Sequence, residues 1–277
     1  TAIGQTPTKI LSGTAIPKKE WPEQHPIGSL VDRGVLREIC LDNSVSERAA
    51  FVCAMAWGGG RMSNIRSALS SPALKKTLDQ LREGMPRSEA FALMQDARKS
   101  RKIKGLGISY FTKLLHFFMP EQNAYILDQW TAKSWKLLDK RCPLQFQGEL
   151  PHPNTTPEVY EQYCLFVEAL AKKMGWEDPV SAEIAMFSTG GRKPGKWREY
   201  VKAHFQVDAP LKKTPQNPQD AKRDKALTGS RASDKIESIN RRLPAMIDSH
   251  QAERSNELDQ IGNDFNWQER WGNKPEE

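Results

Sequence analysis

A Gly-Leu-Gly tripeptide at residues 105–107 lies between two stretches of helical character and constrains the fold more than any other feature. Apolar spacing predicts one helix over residues 88–99 and a second over 108–119, which ends at Pro120. Glycine permits a tight turn, so the second helix can begin with the N–H groups of residues 107–109 pointing outward. These donors, together with the helix dipole, form an anion site that suits a phosphate group.

Positive charge is concentrated in the same part of the chain. The sequence holds 41 Lys and Arg against 34 Asp and Glu, but residues 206–277 hold 12 against 13, so the excess belongs to the preceding residues. Basic residues beside the turn favour attraction to the backbone of a nucleic acid. The residues predicted to bind double-stranded DNA are Lys102, Lys104, Gly105, Gly107 and Ser109.

Further helical segments predict a mostly α fold, since no convincing alternating strand pattern occurs. A helix over residues 46–55, capped by Ser44 or Ser46, stops at the glycines 58–60. Other helices are expected to start near Asp128 and to cover residues 157–174 and 179–187.

Changes in composition divide the chain into four segments. Residues 1–27 carry several prolines without a helical period and predict an extended arm, laid over the domain or disordered. Residues 28–205 form the expected helical domain. Residues 206–232 are polar and predict a linker, and residues 233–277 predict a flexible, partly helical tail that binds a protein partner or docks back on the domain.

Several classes of protein are disfavoured. The four cysteines, at positions 40, 53, 142 and 164, include no close pair, so local spacing builds neither a zinc knuckle nor an iron–sulfur loop, and we expect no metal and no cofactor. Cys53 and Cys164 fall in apolar helical patterns and are expected in the core. No apolar run approaches the ~20 residues that cross a bilayer. We therefore expect a monomeric, cytoplasmic and nucleoid-associated protein that binds no membrane.

The order of these features resembles the helix-hairpin-helix DNA glycosylase superfamily, in which an aspartate opens a helix about twenty residues after a GxG hairpin. Here Asp128 follows Gly107 by 21 positions. Residues 29–204 are similar to the bacterial 8-oxoguanine DNA glycosylase OGG-like proteins. The similarity is carried by the segments GLGISYFTKLLHFF, YILDQW, CLFVEALAKKMGW and SAEIAMFS. The resemblance implies a helical domain that flips an altered base out of duplex DNA and breaks its N-glycosidic bond.

The resemblance also implies roles for particular residues. Asp128 is the carboxylate that stabilises positive charge on the sugar. The nucleophilic lysine of bifunctional members commonly stands where this chain has Ser109, whereas Lys113 lies one turn later on the same helical face, among apolar neighbours that lower an amine pKa. Lys113 is therefore a candidate nucleophile. Independently of the resemblance, a flipped base is gripped between aromatic or apolar side chains, and the expected base pocket contains Trp130, Phe117 and His116.

Alternative interpretations remain open from sequence. Asp128 is also a suitable helix N-cap, and Lys113 is also compatible with a solvated helix lysine. The attacking group is either water or Lys113, and the latter would add AP-lyase activity. At the level of the whole protein, the alternatives are a defence glycosylase that acts on modified bases of invading DNA, and a non-catalytic helix-hairpin-helix module that only binds DNA.

Overall fold

The computed structural model describes residues 4–187 and 195–206, and this part of the chain is mostly helical, as the sequence predicts. A two-residue hairpin pairs Gln147 with Leu150. Strands of two residues are too short to show an alternating pattern, so they could not be predicted from the sequence. The elements are α1 Pro7–Leu11, α2 Arg33–Leu41, α3 Glu47–Trp57, α4 Met62–Leu69, α5 Ala73–Glu83, α6 Arg87–Lys99, α7 Ile108–Phe118, α8 Gln129–Leu138, β1 Phe146–Gln147, β2 Leu150–Pro151, α9 Pro157–Lys173, α10 Pro179–Phe187 and α11 Lys196–His204.

Helix α7 is the centre of the fold. Nine of its eleven residues are buried, and it contacts α2, α3, α5 and α6. A helix that is apolar on nearly all sides is stable only when other elements surround it. Because α7 is enclosed in this way, its two ionisable residues, Lys113 and His116, are buried with it.

Side-chain caps fix where several helices begin. Ser46 accepts a hydrogen bond from the backbone N–H of Ala49 and starts α3, which ends at Gly58 as the sequence predicts. Asp128 caps α8 in a reciprocal capping box with Thr131. Each cap satisfies N–H groups that have no partner inside the helix. The caps therefore set the register in which α3 and α8 present their side chains.

The segment interpreted as an extended arm contains α1 and a 3-10 turn at Lys18–Glu20, and α1 packs on α3. Ile10, Leu11 and Ile16 are buried. A helix of five residues is too short to show a period, which explains why the sequence did not indicate it. Cys53 and Cys164 are buried free thiols, as expected.

Helices α2, α4, α5 and α11 were also not predicted. Each holds only two to four buried residues, and α4 and α5 begin without a side-chain cap hydrogen bond. The interpretations of residues 207–277 as linker and tail fall outside the described residues. No helix in the described part is long and apolar enough to cross a membrane.

The two glycines of the predicted turn have different roles. Gly105 has a φ of +83°, and an added Cβ would lie 2.6 Å from the carbonyl oxygen of Asn64 on α4. Gly107 is the N-cap of α7, and an added Cβ there would meet no atom within 4 Å. Gly105 therefore permits close packing of the turn against α4, whereas Gly107 faces open space.

We expect Gly105→Ala to lower the free energy of unfolding by about 2 kcal/mol or more, because it combines a left-handed φ with a clash against backbone. Gly107→Ser is the matched control, since serine is a good N-cap and has room. Denaturant unfolding of both variants checks this. Equal stability of Gly105→Ala and the parent protein would show that the close approach to α4 is not needed.

Candidate active site

A cavity of about 1020 Å³ opens beside the N-terminus of α7 and is bordered by parts of α2, α4, α8, α10 and the β1–β2 hairpin. Five of the residues singled out from sequence line it: Gly107, Ser109, Lys113, Asp128 and Trp130. A concave site in which several polar groups converge is the usual form of a binding or catalytic pocket. The fold thus brings the predicted carboxylate and the predicted amine to one cavity.

Lys113 is held at the wall of this cavity. Its side chain is only 7% exposed, and its Nζ donates hydrogen bonds to the carbonyl oxygen of Ser109 at 2.9 Å and to the hydroxyl of Ser109 at 3.1 Å. Burial lowers the pKa of Lys113, against the opposing charge of Asp128. The interpretation of Lys113 as a solvated helix lysine is therefore wrong.

Gly58, at the end of α3, leaves the space that the side chain of Lys113 occupies. A Cβ at Gly58 would lie 2.7 Å from the Cδ and 2.9 Å from the Cε of Lys113. These separations are far below van der Waals contact, so any larger residue at position 58 would have to displace the lysine stem. From sequence, the glycines after α3 read only as a helix stop, because their contact with α7 spans more than fifty residues.

Asp128 is both a helix cap and a wall of the cavity. Its Oδ1 accepts hydrogen bonds from the backbone N–H groups of Trp130 at 2.7 Å and Thr131 at 3.1 Å. Its Oδ2 has no hydrogen-bond partner among the described residues. The carboxyl is 8% exposed, and burial raises its pKa, against the opposing charge of Lys113. The cap fixes one oxygen and leaves the other available to a bound molecule.

Lys113 and Asp128 form no ion pair within 4 Å, but the charge of each residue shifts the pKa of the other. Burial is the largest cause of both pKa shifts, lowering that of the amine and raising that of the carboxyl. The neutral amine is the nucleophilic form of lysine, and its depressed pKa makes that form more abundant near neutral pH. The arrangement can therefore supply a nucleophile and a fixed carboxylate to one bound group.

An ion pair between the partly exposed Arg33 and the buried Glu183 also lines the cavity. Arg33 donates two hydrogen bonds of 2.9 Å to Glu183, and its guanidinium lies over the ring of Trp57 at 5.2 Å. The bidentate geometry is the strong form of such pairs. The two residues are 150 positions apart, so no local sequence pattern could have indicated their contact.

His116 and Phe117 do not line the cavity, which corrects their assignment to the base pocket. His116 donates from Nδ1 to the carbonyl of Ala124 and accepts at Nε2 from Arg33, and burial lowers its pKa to about 3. Phe117 is fully buried, with its ring 5.0 Å from that of Trp57. Both fall behind the cavity because α7 is enclosed on nearly all sides. His116 instead holds Arg33 in position.

More than half of the chain matches a known protein family. Residues 9–187 match the family described as "Putative 8-oxoguanine DNA glycosylase OGG-like protein". The chain belongs to this OGG-like family. Searches of curated proteins and of solved structures each found no match for the OGG-like protein. The family match begins inside α1, within the segment interpreted as an arm, and ends at the last residue of α10.

Trp130 of the OGG-like protein lies at the start of α8, next to Asp128, on the cavity wall. Cations surround its ring: Lys133 Nζ lies 4.7 Å from the ring centre and the guanidinium carbon of Arg198 lies 4.8 Å from it. Cation–π contacts of this kind hold an aromatic ring in a fixed orientation. Arg198 belongs to α11, beyond the residues that match the family.

The predicted phosphate site of the OGG-like protein is open. The N–H groups of Gly107, Ile108 and Ser109 donate to no group among the described residues. Lys102 and Lys104 are exposed beside this turn, while Gly105 packs against α4 instead. Unpaired N–H groups at a helix start, flanked by lysines, are suited to a phosphate.

We expect Gly107→Leu to weaken binding to duplex DNA about tenfold, since a bulky side chain at the N-cap keeps a phosphate from the N–H groups of α7. The space around Gly107 allows the variant to fold. Fluorescence anisotropy at fixed salt, with Gly107→Ser as a control for losing the glycine alone, measures the change. Duplex affinity equal to that of the parent protein would remove α7 from the DNA interface.

Proposed function

We propose that this OGG-like protein flips an oxidised or otherwise modified purine out of duplex DNA and breaks its N-glycosidic bond through Asp128 and Lys113. The observation that carries the proposal is that the buried amine of Lys113 and the available oxygen of Asp128 line one cavity. Its entrance lies beside the unpaired N–H groups of α7, where a DNA phosphate fits.

Breaking the bond between C1′ and the base leaves the bonding electrons on the base nitrogen and positive charge on the sugar. Asp128 stabilises that charge through Oδ2, while its Oδ1 stays fixed by the cap of α8. A proton then neutralises the departing base. The two hydrogen bonds that Oδ1 accepts fix the orientation of the carboxylate, so that Oδ2 stays directed to the sugar.

Lys113 attacks C1′ as the neutral amine and forms a covalent bond to the sugar as the base leaves. The nitrogen gives one proton to the departing base and its other proton to the ring oxygen as the sugar ring opens, which leaves a Schiff base. β-Elimination from the Schiff base cleaves the strand. This adds AP-lyase activity to the glycosylase. The support is the burial of Lys113 and its hydrogen bonds to Ser109, which occupies the place of the usual lysine.

We expect Asp128→Asn to slow base excision roughly 100-fold or more, because the amide has the shape of the carboxylate but lacks its charge. Asparagine is also an effective N-cap, so folding and duplex binding are expected to persist. The assay is single-turnover excision from duplexes that each carry one altered purine, beginning with 8-oxoguanine.

Asp139→Asn is the matched control, since Asp139 is a buried aspartate at the other end of α8 and does not line the cavity. Excision at the parental rate by Asp128→Asn would reduce Asp128 to a helix cap. A parent protein that excises no altered purine would reject the proposed substrate class.

We expect the single-turnover rate to rise with pH and to reach its plateau below the ordinary lysine pKa of about 10.4, since the reactive amine is neutral and burial lowers the pKa of Lys113. As the pH falls, activity is expected to decline already at a pH above the ordinary aspartate pKa, because burial raises the pKa of Asp128 and the carboxylate is protonated earlier. Lys113→Gln is expected to lose the alkaline rise. A plateau reached only above pH 10 would contradict a desolvated Lys113.

A further inference from the structure

Leu150 is unusual among the large apolar side chains of the described residues. Three are exposed, Leu30, Leu41 and Leu150, and Leu150 is the most exposed at 56%. It is also the only one of the three that lines the cavity. Single exposed leucines need no explanation in general, but an apolar side chain at the rim of a proposed DNA-binding cavity does.

The hairpin that carries Leu150 presents it at a tip. Leu150 pairs with Gln147 across a two-residue turn, in which Gly148 has a φ of +60°. A turn this tight places both paired residues at the end of the hairpin. Gln147 is also exposed and lines the cavity, so an apolar group and an amide project side by side.

Contacts of the turn and of both strands hold the hairpin in place. Glu149 accepts a hydrogen bond of 2.9 Å from Lys133 Nζ on α8, and the ring of Phe146 lies 4.9 Å from that of Phe205. Pro151 is buried, and β2 packs on α8. The helix that carries Asp128 at its cap therefore also supports the hairpin. A side chain that protrudes from a firmly held hairpin keeps its position when it contacts another molecule.

A duplex from which one nucleotide has been flipped contains a gap in its base stack. Proteins that distort DNA commonly insert an apolar side chain between bases, because its burial offsets part of the cost of unstacking. Leucine buries four side-chain carbons on leaving water for such a gap. The hairpin tip is on the rim of the cavity that would receive the flipped nucleotide, which is where such a side chain is required.

We propose that Leu150 enters the base stack in the space vacated by the flipped nucleotide and so holds the DNA in its opened form. The proposal rests on the proposed function, since it presumes that a nucleotide enters the cavity. Leu150 is a positioning residue, because it contacts the neighbouring bases and not the bond that breaks.

The test uses the full chain and a duplex with one tetrahydrofuran abasic analogue, in which the gap already exists. Leu150→Ala is expected to bind this duplex about tenfold more weakly or worse, with affinity for the intact duplex unchanged. Leu150→Met restores most of the binding, and Leu41→Ala, which removes an exposed leucine away from the cavity, changes neither affinity.

2-Aminopurine placed beside the analogue reports the stacking directly, and its emission is expected to change with the parent protein and not with Leu150→Ala.

Equal losses on both duplexes, or parental affinity of Leu150→Ala for the abasic duplex, would overturn the proposal. Neither measurement needs base excision, so the two proposals fail separately. A normal 2-aminopurine response without excision by the parent protein would reject the catalytic proposal and retain Leu150. Excision with a 2-aminopurine response that Leu150→Ala leaves intact would reject Leu150 and retain the catalysis.

Discussion

The burial of Lys113 inside α7, the most enclosed of the described helices, is the constraint on which the site depends. An unpaired ammonium group is costly to remove from water, so a buried lysine is either paired or displaced towards its neutral form. Here the amine donates hydrogen bonds to Ser109. The charges of Asp128 and Glu183 raise its pKa without forming an ion pair with it. Gly58 leaves room for the side chain, so α3 and α7 together determine where the amine lies.

Under the proposed function, the placement of Lys113 on α7 links DNA binding to chemistry. The unpaired N–H groups lie at the start of the helix, and the side chain of Lys113 reaches back one turn, so that its amine lies beside Ser109. A strand anchored at the turn would therefore bring its C1′ towards the amine, while Asp128 approaches from α8. Rigid helices on both sides reduce the ordering needed when the substrate binds.

The parts of this arrangement that could be predicted are local. The glycine turn, the start of α7 and the cap at Asp128 each follow from a few neighbouring residues, and the similarity of GLGISYFTKLLHFF and YILDQW to the OGG-like proteins indicated the family. Arg33 and Glu183 meet across 150 positions, which no periodicity reveals. His116 was assigned to the base pocket because it lies three positions after Lys113, but its side chain contacts Ala124 and Arg33 and does not line the cavity.

Borohydride trapping followed by peptide mapping tests the central claim, that Lys113 is the nucleophile, most directly. The full chain would be incubated with a duplex carrying the altered purine that it excises, reduced, digested and analysed by mass spectrometry. The account predicts one covalent adduct on the peptide that contains Lys113. The adduct should be absent from Lys113→Gln and present in Lys172→Gln, which removes an exposed lysine of α9 that does not line the cavity. Excision without any adduct, or an adduct at a different residue, would contradict it.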